Sequence, residues 1–146
     1  MVHVLRRTGQ ALRPGGVLVS IQPHRSKRLS ISITARSQRV PVAALVNPPF
    51  ERYLSAAEAS LRRVVLDRWF TLIGRTSYDY RTRLANLSEL DRYLDLLSPR
   101  PRFPPGGRRR LNVLWASRLP GARIQVTESM VLIALRVTST AHNARR

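Results

Sequence analysis

Cysteine is absent from this chain of 146 residues, so disulfide staples, thiolate metal sites and cysteine nucleophiles are all excluded. Lysine is nearly absent as well: Lys27 stands alone, and arginine makes up the rest of the 26 basic side chains. Acidic residues number only 8, none of them before Glu51, and the formal charge is +18. Such a charge attracts polyanions through a field reaching about 8 Å in physiological salt, which invites a nucleic-acid partner. Phosphate binding does not demand arginine, because lysine serves as a point charge too, and a GC-rich codon bias accounts equally for the skew. Long apolar runs are also missing. The cleanest, Met130 to Leu135, falls far short of the roughly 20 residues of a membrane-crossing helix, and the first residues lack the apolar core of a secretory signal. The acid-free opening has the composition of an organelle transit peptide, yet it carries two well-formed structural units that a cleavable presequence does not need. The chain thus reads as soluble and cytoplasmic, with no membrane partner.

With 43% hydrophobic residues, one domain's core can be buried. Val2, Leu5, Gly9 and Leu12 recur at helical spacing, and Pro14 stops that helix before Gly15-Gly16 turns the chain into the apolar run Val17 to Ile21. Such a run suits a strand covered on both faces. Leu29, Ile31 and Ile33 alternate with Ser30, Ser32 and Thr34, and Val40 and Val42 return after Ser37-Gln38, which predicts a β-hairpin. Asn47-Pro48-Pro49 is expected to break the chain. Ser55 and Glu58 have capping-box spacing, so a helix is predicted from there, with Leu61, Val64, Val65, Trp69 and Leu72 as its buried stripe and Gly74 as its left-handed end. Residues 77 to 84 alternate as a strand, and Ser88 is expected to cap a helix with Leu90, Tyr93, Leu94 and Leu97 on its apolar side. Residues 99 to 110, rich in proline, glycine and arginine, read as a loop before a helix from Leu111 to Leu119. Two extended segments follow, Ala122 to Val126 and Met130 to Val137, and residues 139 to 146 read as a disordered basic tail.

The helix, the turn Leu12-Arg13-Pro14-Gly15-Gly16 and the strand Val17-Leu18-Val19 together resemble a stretch of class I S-adenosylmethionine-dependent methyltransferases. There a helix ends at a Leu-x-Pro-Gly-Gly turn and enters the fifth strand. Residues 10 to 21 carry the motif, and the later order of elements is similar over most of the chain. The resemblance implies an α/β fold with a partial, Rossmann-like sheet, a single domain over residues 1 to 138 with a hairpin inserted at 28 to 43 on the substrate side. Tyr78 to Leu84 would be the sixth strand, and Met130 to Val137 the seventh, inserted antiparallel between the fifth and sixth. In this fold the cofactor lies where a glycine-rich turn follows the first strand and an acidic residue ends the next. Neither is found here, since Gly106-Gly107 follows prolines, precedes three arginines and has no strand leading into it. The resemblance therefore implies a truncated or split methyltransferase-like chain that keeps the acceptor-side half and is inactive alone. It would take S-adenosylmethionine only when a partner chain supplies the missing half, and otherwise no cofactor. A sheet cut beside its fifth strand exposes one ladder, so the expected partner is a complementing methyltransferase half or a second copy joined through the open edge.

Gln22 and His24 fall just beyond the carboxyl end of the Val17 to Ile21 strand, the edge where open α/β sheets bind ligands, and are the candidates for contact with the methyl acceptor. No residue stands out as catalytic. His3, His24 and His142 are scattered without ligand spacing, so no metal is expected, and no Gly-x-Ser-x-Gly elbow supports a serine triad. Asp91 and Asp95 read as a solvated helix face, and Trp69 and Trp115 as core. The alternative function is a small basic nucleic-acid-binding protein in which Arg100, Arg102, Arg108, Arg109 and Arg110 lie along a phosphate backbone. Arg108 to Arg110 are expected to be solvated, because a helix dipole disfavours cations at its start.

Overall fold

The computed structural model describes residues 1–138, so the predicted tail at 139 to 146 lies outside the described residues. The elements run α1 (Val2–Ala11), β1 (Val17–Pro23), β2 (Ser30–Ala35), β3 (Gln38–Ala44), α2 (Pro48–Leu66), β4 (Phe70–Leu84), α3 (Leu87–Asp95), α4 (Gly107–Ala116) and β5 (Arg123–Val137). Among the described residues the fold is α/β, with four helices and an open antiparallel sheet ordered β1-β5-β2-β3, β4 also pairing with β5. The chain divides into two compact units. Among the described residues, one takes Met1–Pro23, Arg52–Tyr78 and residues 130–138; the other takes His24–Glu51 and Asp79–Ser129.

In the first unit, α1 runs to Leu12, whose N–H donates to the Thr8 carbonyl at 3.1 Å. Arg13-Pro14-Gly15-Gly16 then closes a tight turn. Gly16 N–H donates to the Arg13 carbonyl at 2.8 Å, and Gly15 sits at φ 76, a conformation that strains any residue with a Cβ. β1 leaves this turn and pairs antiparallel with β5, from Val17 opposite Arg136 to Pro23 opposite Met130. Along the other edge of β5 lies β4, where a Cβ added to Gly74 would stand 4.0 Å from the Ala134 methyl. Val131, Ile133, Leu135 and Val137 point to one side of β5, and Leu61 and Val64 of α2, Phe70, and Leu5 and Leu12 of α1 pack on them. Both helices therefore cover the same face. On the opposite face Val17, Val19 and Ile21 are 46%, 50% and 57% exposed. β1 is thus covered on one face and not on two as its apolar run predicts, because the described helices of this unit all lie on one side.

α2 opens at Pro48, not at Ser55. The Asn47 carbonyl accepts from Glu51 N–H at 2.9 Å and its side-chain oxygen from Phe50 N–H at 3.4 Å, while Pro48 and Pro49 bring no N–H that would need a partner. Asn47-Pro48-Pro49 therefore starts the helix instead of breaking the chain. The helix ends at Leu66, well before Gly74. Arg68, at φ 59, donates its N–H to Val65, and Trp69 donates to Val64, both at 3.0 Å; this is a Schellman ending with arginine where glycine is usual. The chain is a strand again from Phe70, so Trp69 and Leu72 lie beyond the helix and Gly74 is a strand residue.

In the second unit β2 and β3 form the predicted hairpin across Arg36-Ser37, with Arg36 at φ 52 and Ala35 opposite Gln38. The register slips between Ile31 and Ser32, and Pro41, which cannot donate to a ladder, sits at this bulge in the end strand. β2 pairs on its other side with β5, Ser30 opposite Thr127 to Thr34 opposite Arg123. α3 is capped by Asn86, not Ser88: Asn86 Oδ1 accepts from Glu89 N–H at 2.8 Å, and the Glu89 carboxylate reaches back to Ala85 N–H at 2.6 Å. α4 starts at Gly107 instead of Leu111, with Arg108, Arg109 and Arg110 in its first turn. The two extended segments predicted after it are one strand, β5. Leu90, Leu94, Leu111, Trp115, Ile124 and Val126 are buried together against the hairpin's Ile31 and Ile33. Trp115 is a core residue as expected, 7% exposed.

Candidate functional site

Gln22 is half-buried in β1 opposite Val131, which places it on the helix-covered face. His24 follows the strand. Its N–H donates to the Ser129 carbonyl at 2.7 Å, and its Nδ1 accepts the Ser26 N–H at 3.2 Å and lies 3.2 Å from Ser26 Oγ. The imidazole is thereby oriented by its own turn, with Nε2 as its remaining polar atom.

The arginines of residues 99 to 110 fare differently from one another. Arg108 grips Asp91 with two bonds of 2.5 and 2.8 Å, and its guanidinium lies 5.7 Å from the centroid of Phe103. The bond to Asp91 raises the pKa of Arg108 against some loss of solvation. Neither Arg108 nor Asp91 is simply solvated, as the helix dipole and the i,i+4 spacing led one to expect: a fork-to-fork ion pair outweighs the weak field of a helix end. Arg100 Nη1 lies 2.6 Å from Asp95 Oδ1, and Arg110 donates to the Pro41 carbonyl at 3.1 Å. Arg102 is tied through its backbone to Val46, with bonds of 2.8 and 2.9 Å, and its side chain is exposed, as is that of Arg109. Three of the five candidate arginines are therefore occupied by groups of the protein itself. The loop also lines a cavity of about 940 Å³, walled by Val46, Asn47, Pro99, Pro101, Phe103 and the Asp91–Arg108 pair. Asn47 Nδ2 spans to the Pro99 carbonyl at 2.6 Å and fixes one side of it.

The sequence reading gave no site role to Glu128, Tyr93 or Asp79. Glu128 is half-buried on β5, and burial pushes its carboxyl above the usual carboxylate range. Tyr93 of α3 is pushed up as well, by burial first and then by the charge of Glu128, against a hydrogen bond with Thr82. Asp79 behaves in the opposite way: the Ser129 hydroxyl donates to it at 2.7 Å and lowers its pKa despite partial desolvation, with Lys27, Arg81 and Arg39 adding to the effect. The sequence signal that marks Glu128 is that it is the one acid in the long, mostly apolar run 123 to 137.

The glycine-rich turn and following acid by which an open α/β sheet receives a nucleotide-type cofactor are not found among the described strand-to-helix connections. The strand-to-helix connections, 45 to 47 and 85 to 86, contain no glycine that would let a backbone approach a ligand, and neither holds an acid to bind ribose hydroxyls. Gly15-Gly16 precedes a strand, and Gly106-Gly107 opens α4 out of a proline-rich loop. No family model, curated protein or solved structure matches this chain. Among the described residues no cluster of three or more histidines and acids is placed to hold a metal, and no helix is long and apolar enough to cross a membrane.

Proposed function

We propose that this chain is the acceptor-side half of a class I methyltransferase-like fold, whose cofactor-binding strands come from another polypeptide segment. The observation that carries the reading is in the first unit: β5 lies antiparallel between β1, which leaves the Leu12-Arg13-Pro14-Gly15-Gly16 turn, and β4. That is the order in which the resemblance sets the fifth, seventh and sixth strands. Two features support a missing neighbour. The outer ladder of β1 has no strand partner among the described residues, and Val17, Val19 and Ile21 expose an apolar face beside it. Because each is already about half covered, burying the rest is worth about 1 kcal/mol apiece, so a complementing segment would find both backbone and apolar partners there.

Gln22 and His24 are the residues proposed to contact the acceptor, with His24 Nε2 as the atom to do it. Calorimetric titration with S-adenosylmethionine tests the reading. The isolated chain should give no saturable heat, whereas a longer polypeptide that also carries a glycine-rich strand turn should bind. Micromolar binding by the isolated chain would contradict the proposal. The nucleic-acid reading predicts affinity falling by about 0.9 log units per phosphate contact per log unit of salt, and the internal pairing of Arg100, Arg108 and Arg110 removes much of its basis.

A further inference from the structure

The face of β5 that turns away from the second unit's core is polar. Along it Gln125 and Thr127 are each 5% exposed, and Ser32 of the neighbouring β2 is 1% exposed. These three are knit together through Arg39 and one another, and Gln125 is the one that forms the floor of a cleft. Gln125 Nε2 donates to Thr127 Oγ1 at 3.2 Å, while Arg39 donates to Ser32 Oγ at 3.1 Å and to Thr127 Oγ1 at 3.4 Å. Above this floor Arg36 and Arg39 from the hairpin, Arg81 and Arg83 from β4, and Arg123 from β5 line a cleft of about 310 Å³. No carboxylate lines it. Asp79, outside that wall, accepts from Ser129 and forms a long ion pair of 3.8 Å with Arg81.

Arginines outside the cleft meet acids at closer range: Arg28 pairs with Glu51 at 3.1 Å, Arg100 with Asp95 at 2.6 Å and Arg108 with Asp91 at 2.5 Å. Five guanidinium groups drawn from three strands and a turn surround one small space whose described wall holds no acid, a concentration of positive charge that an anion would offset. We propose that this cleft binds a compact, multiply charged phosphate anion of the diphosphate or phosphomonoester class. Guanidinium forks match phosphate oxygens two bonds at a time, and the buried Gln125 of the cleft floor is fixed by its bond to Thr127 while Ser32 holds Arg39. The volume lies at the small end of the roughly 300–1,000 Å³ range of ligand pockets. A nucleic-acid backbone would call instead for an extended basic track. The proposal is independent of the methyltransferase-like reading, which concerns the first unit.

The test is calorimetric titration of the whole chain with inorganic pyrophosphate at low salt, for the parent and for two double variants that remove equal charge. Arg81→Gln with Arg123→Gln should weaken binding by about tenfold or more, and Arg102→Gln with Arg109→Gln by less than about twofold. Absence of saturable binding overturns the proposal, as does equal weakening in both variants, which would reflect net charge alone. Tight binding of a single-stranded oligonucleotide without binding of pyrophosphate also overturns it, in favour of a polymer. Should the cleft variant fail to fold by circular dichroism, phenylglyoxal modification of the unaltered chain replaces it. Pyrophosphate should then protect Arg81, Arg83 and Arg123 while Arg102 and Arg109 react at the same rate as before, and uniform reactivity would refute the site.

Discussion

Replacing Gly9 by alanine sets helix propensity against packing. Gly9 is the buried residue of α1, and a Cβ placed there would lie 3.1 Å from Cζ and 3.3 Å from Cε2 of Phe70. Alanine in a helix interior is favoured over glycine by about 1 kcal/mol. Forcing an extra carbon into a filled core costs about 1–3 kcal/mol, and Phe70, only 1% exposed, has little room to retreat. Packing should win. Gly9→Ala is expected to lower stability by about 1 kcal/mol in urea unfolding followed by circular dichroism, with an unchanged m-value. Phe70→Leu removes the ring edge that the new methyl meets. In that background the same substitution should be neutral or stabilising by up to about 1 kcal/mol, which makes the coupling between the two sites about 1–2 kcal/mol. If Gly9→Ala stabilises the parent, or has one and the same effect in both backgrounds, the close approach of α1 to Phe70 is not what keeps this position glycine.

Asn86→Ala removes the cap of α3 and should cost about 1 kcal/mol of unfolding free energy, whereas Ser88→Ala, inside the helix, should stay within about 0.5 kcal/mol of the parent. Asp67 accepts from Arg6 at 2.6 Å and from Arg63 at 3.0 Å, and chiefly the Arg6 bond holds its pKa below the ordinary 3.8. A depressed carboxylate stabilises the fold above its unfolded pKa and loses that contribution as pH falls through the folded one. Asp67→Asn should therefore be less stable than the parent at neutral pH, and the gap in urea midpoints should close below pH 3.8. Glu128 has the opposite sign, because burial raises it above 4.5; its favourable balance is present below that value and is lost as pH rises through the folded pKa. Glu128→Gln should be the more stable protein at pH 7, with the advantage vanishing on acidification, and an advantage that persists below pH 4 would count against burial as the cause.

The elements legible in the sequence are those whose signals are local. The Arg13 to Gly16 turn needs a proline followed by a residue at positive φ, and Pro14-Gly15 supplies both; the hairpin shows in the alternation of Leu29 to Thr34; α3 shows in the spacing of Leu90, Leu94 and Leu97. Errors arose where two local signals competed. Ser55 and Glu58 imitate a capping box in mid-helix, while Asn47 before two prolines performs the capping; Gly74 imitates a helix end that Arg68 provides. The sites were the least legible part. Asp91 meets Arg108 across 17 positions of chain, and the arginine cleft draws on segments from Arg36 to Arg123, so pairing and charge convergence depend on register that no local pattern encodes.

α2, β4 and β5 each pass through both compact units, and this governs the order in which the protein can be assembled. As the chain leaves the ribosome, every segment of the second unit has been made once Ser129 is added, although its first residue is His24. In the first unit, α1 is made before β1, α2 and β4, yet residues 130 to 138, which close its core, are made after all of them. α1 must therefore wait, its apolar stripe uncovered by β5, until that strand is made and arrives to receive it.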